Sequence, residues 1–182
     1  MLYFVVTLTV ILLILFLLLL FTWKNGISPT PTSNQVRAAL FSNLPELKEG
    51  TIVELGSGWG NLVFPLSKKY PNCKVIGYEN SPVPFLYSAL LNHRANLKIV
   101  RGDFFEKPLQ GVDLVVCYLF PRGMEKLRKK LEKELNVGAM VVSHTHPIPE
   151  WKPKEIIEVD DLDHSTIYIY EITCKTSDCF SA

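Results

Sequence analysis

Three carboxylates recur at a regular interval along this chain: Glu54 opens "ELGSGWGN", Glu79 lies in "GYENSP" and Asp103 in "RGDFF". They stand about 25 residues apart, the length of one strand, one helix and the return to the next strand. An ionised carboxylate only accepts hydrogen bonds, and an acid at the end of a second strand can take both hydroxyls of a ribose. The glycines at 56, 58 and 60 permit backbone conformations other residues resist and remove Cβ atoms that would obstruct a ligand. The loop then feeds a helix N-terminus, which favours anionic groups. Glu79 is therefore expected to hold a ribose and Asp103 an adenine amino group, with Phe104 and Phe105 against the purine face. A nicotinamide dinucleotide would use the same acid, but Asn61 stands where its fingerprint wants a third glycine. The competing expectation for Asp103 is a cap on the following turn, with both phenylalanines in the core.

Carboxylates at such intervals share one edge only if the strands carrying them run parallel. From Thr51 onward, strand-like runs alternate with helical stretches: "TIVEL", a helix to about Tyr70, "KVIGYE", a helix from about Pro82 to Asn92, "LKIVRG", "VDLVVCYLF", a helix from about Arg122 to Leu135, and "GAMVVSH". Runs apolar on both faces and separated by helices predict a sheet covered on two sides. Beyond Pro149, "EIIEV" and "STIYIYEIT" are joined by an acidic turn without a helix, which predicts a terminal antiparallel hairpin. The fold expected is α/β, a doubly wound and mostly parallel sheet. Its ligand site lies outside the carboxyl ends of the strands.

Residues 1–23 contain no charged side chain, and 2–22 are long and apolar enough to cross a bilayer as a helix. No basic n-region or small-residue cleavage site marks them as a secretory signal, so an uncleaved anchor is expected. Lys24 and Arg37 follow the span and no basic side chain precedes it, which places the remainder on the cytoplasmic side. Residues 24–50 read as a linker and a short helix capped by Thr32 or Ser33, 51–174 as the catalytic domain, and 175–182 as a flexible tail. The net charge of +1 offers no general attraction for nucleic acid. Four cysteines without C-x-x-C spacing are expected to be reduced. His144 and His146 alternate faces at the fifth strand's end and supply too few ligands for a metal, so none is expected. Trp151 reads as a packing anchor.

The spacing of the three carboxylate motifs resembles the class I methyltransferase fold, which binds S-adenosylmethionine and releases S-adenosylhomocysteine. More narrowly, "SPTPTSNQVRAAL", "VDLVVCYLFP", "LRKKLEKEL" and "VVSHTHPIPEWKP" resemble the family of lysine methyltransferases that modify the adenine nucleotide translocase and the c subunit of ATP synthase, with their bacterial relatives. This resemblance covers about Ser28 to Ile172. It implies cofactor contacts from Thr30 before the first strand and from Glu54, Gly56, Ser57, Gly58, Gly60 and Asn61 in the glycine loop. Further contacts are implied from Glu79 and Asn80 after the second strand, Asp103 and Phe104 after the third, and Tyr118 after the fourth. Glu54 and Trp59 depart from the aspartates usual in the family's loop. "YLFP" stands where many amine methyltransferases carry an Asn or Asp followed by Pro-Pro, leaving Tyr118 and His144 as catalytic candidates.

The function implied is lysine N-methylation of a membrane-associated protein, at the mitochondrial inner membrane if the chain is eukaryotic. Methyl transfer to a quinone or lipid headgroup, and a tethered cofactor-binding protein without turnover, are the alternatives. Oligomeric state is not legible.

Overall fold

The computed structural model describes residues 1–25 and 32–174. The expected flexible tail therefore lies outside the described residues. An apolar helix, α1 (Leu2–Asn25), precedes the domain. Helix α2 (Asn34–Asn43) starts at Ser33, whose side-chain oxygen accepts from the Val36 backbone N–H at 3.2 Å. Then follow β1 (Gly50–Leu55), α3 (Val63–Lys69), β2 (Cys73–Glu79), α4 (Pro82–Leu91), β3 (Leu97–Arg101), β4 (Leu114–Cys117), α5 (Pro121–Glu134), β5 (Met140–His144), β6 (Glu155–Glu158) and β7 (Thr166–Glu171).

The strands form one seven-stranded sheet in the order β3-β2-β1-β4-β5-β7-β6. The first five run parallel to one another, and β7 runs antiparallel to both β5 and β6. The winding reverses between β1 and β4, which are hydrogen-bonded neighbours. A crevice at their carboxyl ends is where such a sheet places its ligand.

Apolar residues on both faces of the central strands give the sheet two cores. Val53, Val115 and Val141 point to one side, where α5 inserts Met124, Leu127 and Leu131 and the residue capping its end is Leu135, all fully buried. Ile52, Leu114, Val116 and Val142 point to the other, against Val36 and Leu40 of α2 and Val63 and Leu66 of α3. The alternation follows from the two-residue period of a strand, and the α5 set from a spacing of three and four. On its outer face α5 carries Arg128, which pairs with Glu125, Glu132 and Glu150.

The C-terminal hairpin is present, but β7 does not lie at the edge: it slots between β5 and β6, with Val142 opposite Ile169 and Ile157 opposite Ile167. Ile167, Ile169 and Tyr170 of β7 are buried, whereas β6 is a short strand with exposed Glu155 and Glu158. A short strand with charged ends suits an exposed edge. The fourth strand is also shorter than "VDLVVCYLF" suggests, ending at Cys117. Tyr118 to Phe120 leave the ladder and lead into α5, which starts on Pro121 at its first position. Cys73 and Cys117 are free and buried, as expected of reduced cysteines. Cys174 is disulfide-bonded, which corrects that expectation at one position.

Candidate active site

The glycine loop after β1 is folded over the end of β2. Backbone N–H groups of Gly56 and Ser57 both donate to the Tyr78 carbonyl oxygen at 2.9 Å, and Gly60 donates to Ser57 at 2.8 Å. Gly56, Gly58 and Gly60 have φ of 81°, 50° and 90°, a region that side chains with a Cβ rarely enter. A Cβ at Gly56 or Gly58 would meet nothing within 4 Å, so the backbone there faces open space that a ligand can occupy. At Gly77 the reverse holds: a Cβ would lie 2.8 Å from Ser57 Oγ, so this glycine lets the loop cross β2. Sequence reading passed over Gly77, although a glycine inside a strand is itself a signal of close backbone approach.

Glu79 ends β2 and clasps the loop. Its Oε2 accepts from the Gly58 N–H at 2.7 Å and its Oε1 from the Ser81 N–H at 2.6 Å. Each carboxylate oxygen can accept more than one hydrogen bond, so these backbone bonds leave acceptor capacity for a diol. Glu54, near the end of β1, is buried to 5% exposure, and its Oε2 has no hydrogen-bond partner. Burial, and then the charge of Glu79, push its carboxyl well above the usual range, while a hydrogen bond from the Val63 backbone pulls the other way. A buried acid with an orphaned oxygen, beside a second acid, is a poor arrangement for an empty core and a good one for binding a cation. Ser57 Oγ is likewise buried without a partner.

Asp103 follows β3, and the Gly102 N–H before it donates to the Glu79 carbonyl oxygen at 3.0 Å, which joins the second and third carboxylates through the backbone. Its Oδ1 accepts from the Phe105 N–H at 2.9 Å and caps the short 3-10 turn Phe104–Glu106. Phe104 and Phe105 pack on each other with centroids 4.4 Å apart and against the core, and Lys126 Nζ lies 3.9 Å from the Phe105 ring centre.

The far wall comes from β4 and β5. Leu55 pairs with Cys117 and Cys117 with Ser143, so Tyr118 emerges one residue beyond, level with Gly56 and beside His144. The Tyr118 and His144 rings lie 4.5 Å apart at 35°. Neither ring nitrogen of His144 has a partner, and burial lowers its pKa to about 4, against the opposing pull of Asp161. His144 is thus a neutral ring backing Tyr118. His146 packs instead on Phe120 at 6.0 Å. Between the histidines, Thr145 has φ of 71° and the His146 N–H donates to the His144 carbonyl oxygen at 2.9 Å, a tight turn of an uncommon, strained kind. Because of that turn both imidazoles lie against the Tyr118–Phe120 segment, where simple alternation predicts one.

Trp151 donates from Nε1 to Glu132 at 3.0 Å and meets Tyr170 edge-on at 5.7 Å, fastening the loop after β5 to α5 and β7. It is a packing anchor. Asn61 and Asn80 are half-buried beside the loop and after β2, and Thr30 lies outside the described residues. Trp59 meets Tyr87 of α4 edge-on at 5.4 Å, a contact sequence reasoning missed because it joins residues from separate elements.

The orphaned Glu54 and Ser57 oxygens and the open ground before Gly56 and Gly58 fit a nucleoside-containing cofactor bearing an ammonium group. A model of the ANTKMT methyltransferase domain matches residues 54–155, a span that opens on Glu54 and includes Glu79, Asp103, Tyr118 and both histidines. A protein-lysine N-methyltransferase of Saccharolobus islandicus (strain REY15A) is 33% identical over 149 residues, covering 78% of this chain and 91% of that one. A lysine N-methyltransferase of the ATP synthase c subunit, from Mus musculus, is 33% identical over 133 residues, 70% of this chain but only 51% of that protein. The chain thus spans about half of the mouse relative's length. An RNA methyltransferase from Salinibacter ruber, solved in complex with S-adenosyl-L-homocysteine, superposes with a TM-score of 0.73 at 23% identity, covering 84% of this chain and 100% of that chain. That last likeness shows the fold alone. With its fold, its glycine loop and a match across most of the domain, the chain belongs to the ANTKMT methyltransferase domain family, of class I S-adenosylmethionine-dependent methyltransferases.

Proposed function

We propose that the chain methylates the ε-amine of a lysine in a membrane-associated protein, working from a membrane anchor with its domain on the cytoplasmic side. The observation that carries the reading is the pairing of this site with α1, whose segment Leu2–Trp23 is 22 residues long and carries no charged side chain. The names of the Mus musculus and Saccharolobus relatives supply the lysine, and the mouse relative's name supplies an acceptor within ATP synthase. Lys24 and Arg37 after the span supply the orientation.

S-adenosylmethionine, when bound, contributes a methyl group already made electrophilic by its sulfonium. The residues need then only orient and desolvate. Glu79 would hold the ribose, Glu54 the ammonium, and Asp103 the adenine amino group. The acceptor lysine must shed a proton, since in water only on the order of 0.1% of a side chain with pKa 10.4 is neutral at pH 7.5. Tyr118 lines the approach, and the neutral His144 behind it adds no cation to the wall.

The test is transfer of labelled methyl groups by the purified full-length chain to membranes from cells lacking it. The expected result is a labelled protein band whose modified residue is lysine, with labelling lost in Glu79→Ala. Label confined to an organic-solvent extract would identify a lipophilic acceptor, and no label at all would favour a binding protein without turnover.

A further inference from the structure

Helix α4 is apolar on the wrong side. It carries PVPFLYSALL without a charged side chain, yet what it buries is Pro84 and Ser88. The Ser88 hydroxyl turns back onto the helix's own Pro84 and Phe85 carbonyl oxygens, at 3.0 and 3.1 Å. Leu86, Tyr87, Leu90 and Leu91, which share one helical face, are 57%, 49%, 68% and 49% exposed. A helix facing water shows the opposite arrangement, and a contiguous apolar face of this kind marks a contact surface.

The neighbouring element indicates what covers it. Helix α1 touches α4. Of the described α1 side chains, only Leu17, Leu18, Phe21 and Thr22 are partly covered, and they form one face of its last turns. With the span ending at Trp23, these residues lie within about 9 Å of its end at about 1.5 Å rise per residue. An interfacial helix buries its apolar face about 5–10 Å into the boundary between headgroups and acyl chains. We propose that α4 is seated in the bilayer interface beside α1, with Leu86, Tyr87, Leu90 and Leu91 in lipid. The proposal rests on the anchor reading above and deepens it. Tyr87 meets Trp59 of the glycine loop, so the seat of α4 also sets the height of the cofactor loop above the membrane. The substrate class is then a lysine at the bilayer surface, and not one on a long soluble extension.

The test attaches an environment-sensitive fluorophore to the full-length chain at Leu90→Cys, at Leu12→Cys within the span, or at Val137→Cys on an exposed turn. Each labelled protein is reconstituted into vesicles of phosphatidylcholine brominated in the acyl chains. Support is blue-shifted emission and severalfold stronger quenching at positions 12 and 90 than at 137. Quenching at 12 with position 90 as weakly quenched as 137 overturns the docking of α4 and leaves the anchor standing. Quenching at neither position overturns the anchor reading and the docking together. Protection at 90 without quenching, and lost when the protein is diluted in lipid, assigns the face to a second copy of the chain and likewise overturns the proposal.

Discussion

Glu54 is buried, next to Glu79 and has one oxygen unpartnered. Its carboxyl is raised in the folded state, so the stability it contributes is fully present below the unfolded pKa of about 4.3 and is lost as pH rises through the folded value. Glu54→Gln keeps the shape and removes the titration. In thermal melts of the unliganded full-length chain the variant should melt higher than wild type at pH 8, with the difference closing toward pH 4. For a chain of this size about 1 kcal/mol corresponds to about 2–4 °C. Cofactor affinity should fall by about 1.5–3 kcal/mol in calorimetry, because the amide cannot supply the anion for an ammonium. Equal melting temperatures at both pH values would show that Glu54 carries no burial penalty. Tyr118→Phe is expected to lower turnover by more than it lowers cofactor affinity, since the ring's stacking on His144 survives and only the hydroxyl is lost. Unchanged single-turnover rates would make Tyr118 a wall of the cleft and nothing more.

Among the elements, the turn after β3 does two things through one residue. Sequence reading set cofactor contact and capping against each other for Asp103, and the cap is present, on the Phe105 N–H. The second oxygen keeps the contact role open, so Asp103→Ala should cost about 0.5–2 kcal/mol of stability for the lost cap and weaken cofactor binding as well. Asp103→Asn retains a capping oxygen and turns its NH₂ toward the adenine amino group. It should recover the melting temperature without recovering affinity. Recovery of both would reduce Asp103 to a cap. Elements whose pattern has two distinct faces were legible beforehand: α5 and its C-cap bury Met124, Leu127, Leu131 and Leu135 as their spacing predicts. Helix α4 was not legible in orientation, because a helix apolar all round has no polar face to indicate which side meets water.

At the scale of the whole molecule, α1 belongs to neither core of the domain. Deleting Met1 to Trp23 should therefore leave cofactor affinity unchanged while sharply lowering methylation of a membrane-embedded acceptor. Tethering raises effective concentration, with gains of about 10²- to 10⁴-fold when the geometry allows both engagements. Fusing an unrelated membrane-spanning helix in its place should restore most of the rate. A truncated enzyme that labels its acceptor as fast as the full chain would show that the anchor serves location alone.

Local pattern determined much of this protein. Strands apolar on both faces, such as Ile52–Val53 and Leu114–Val116, have to lie between two layers of helices, and carboxylates one strand–helix–strand step apart have to reach one edge of a parallel sheet. Ser33 at a helix start and Pro121 at the first position of α5 are likewise decided by backbone groups within a few residues. Tertiary structure alone decided the insertion of β7 between β5 and β6, the stacking of His144 on Tyr118, the contact of Trp59 with Tyr87 and the outward face of α4. The difference is physical: periodicity records how each residue divides its neighbours between core and surface, but the pairing partner of a strand, or the ring that meets another ring, depends on contacts between segments distant in the chain, which the period of neither segment encodes.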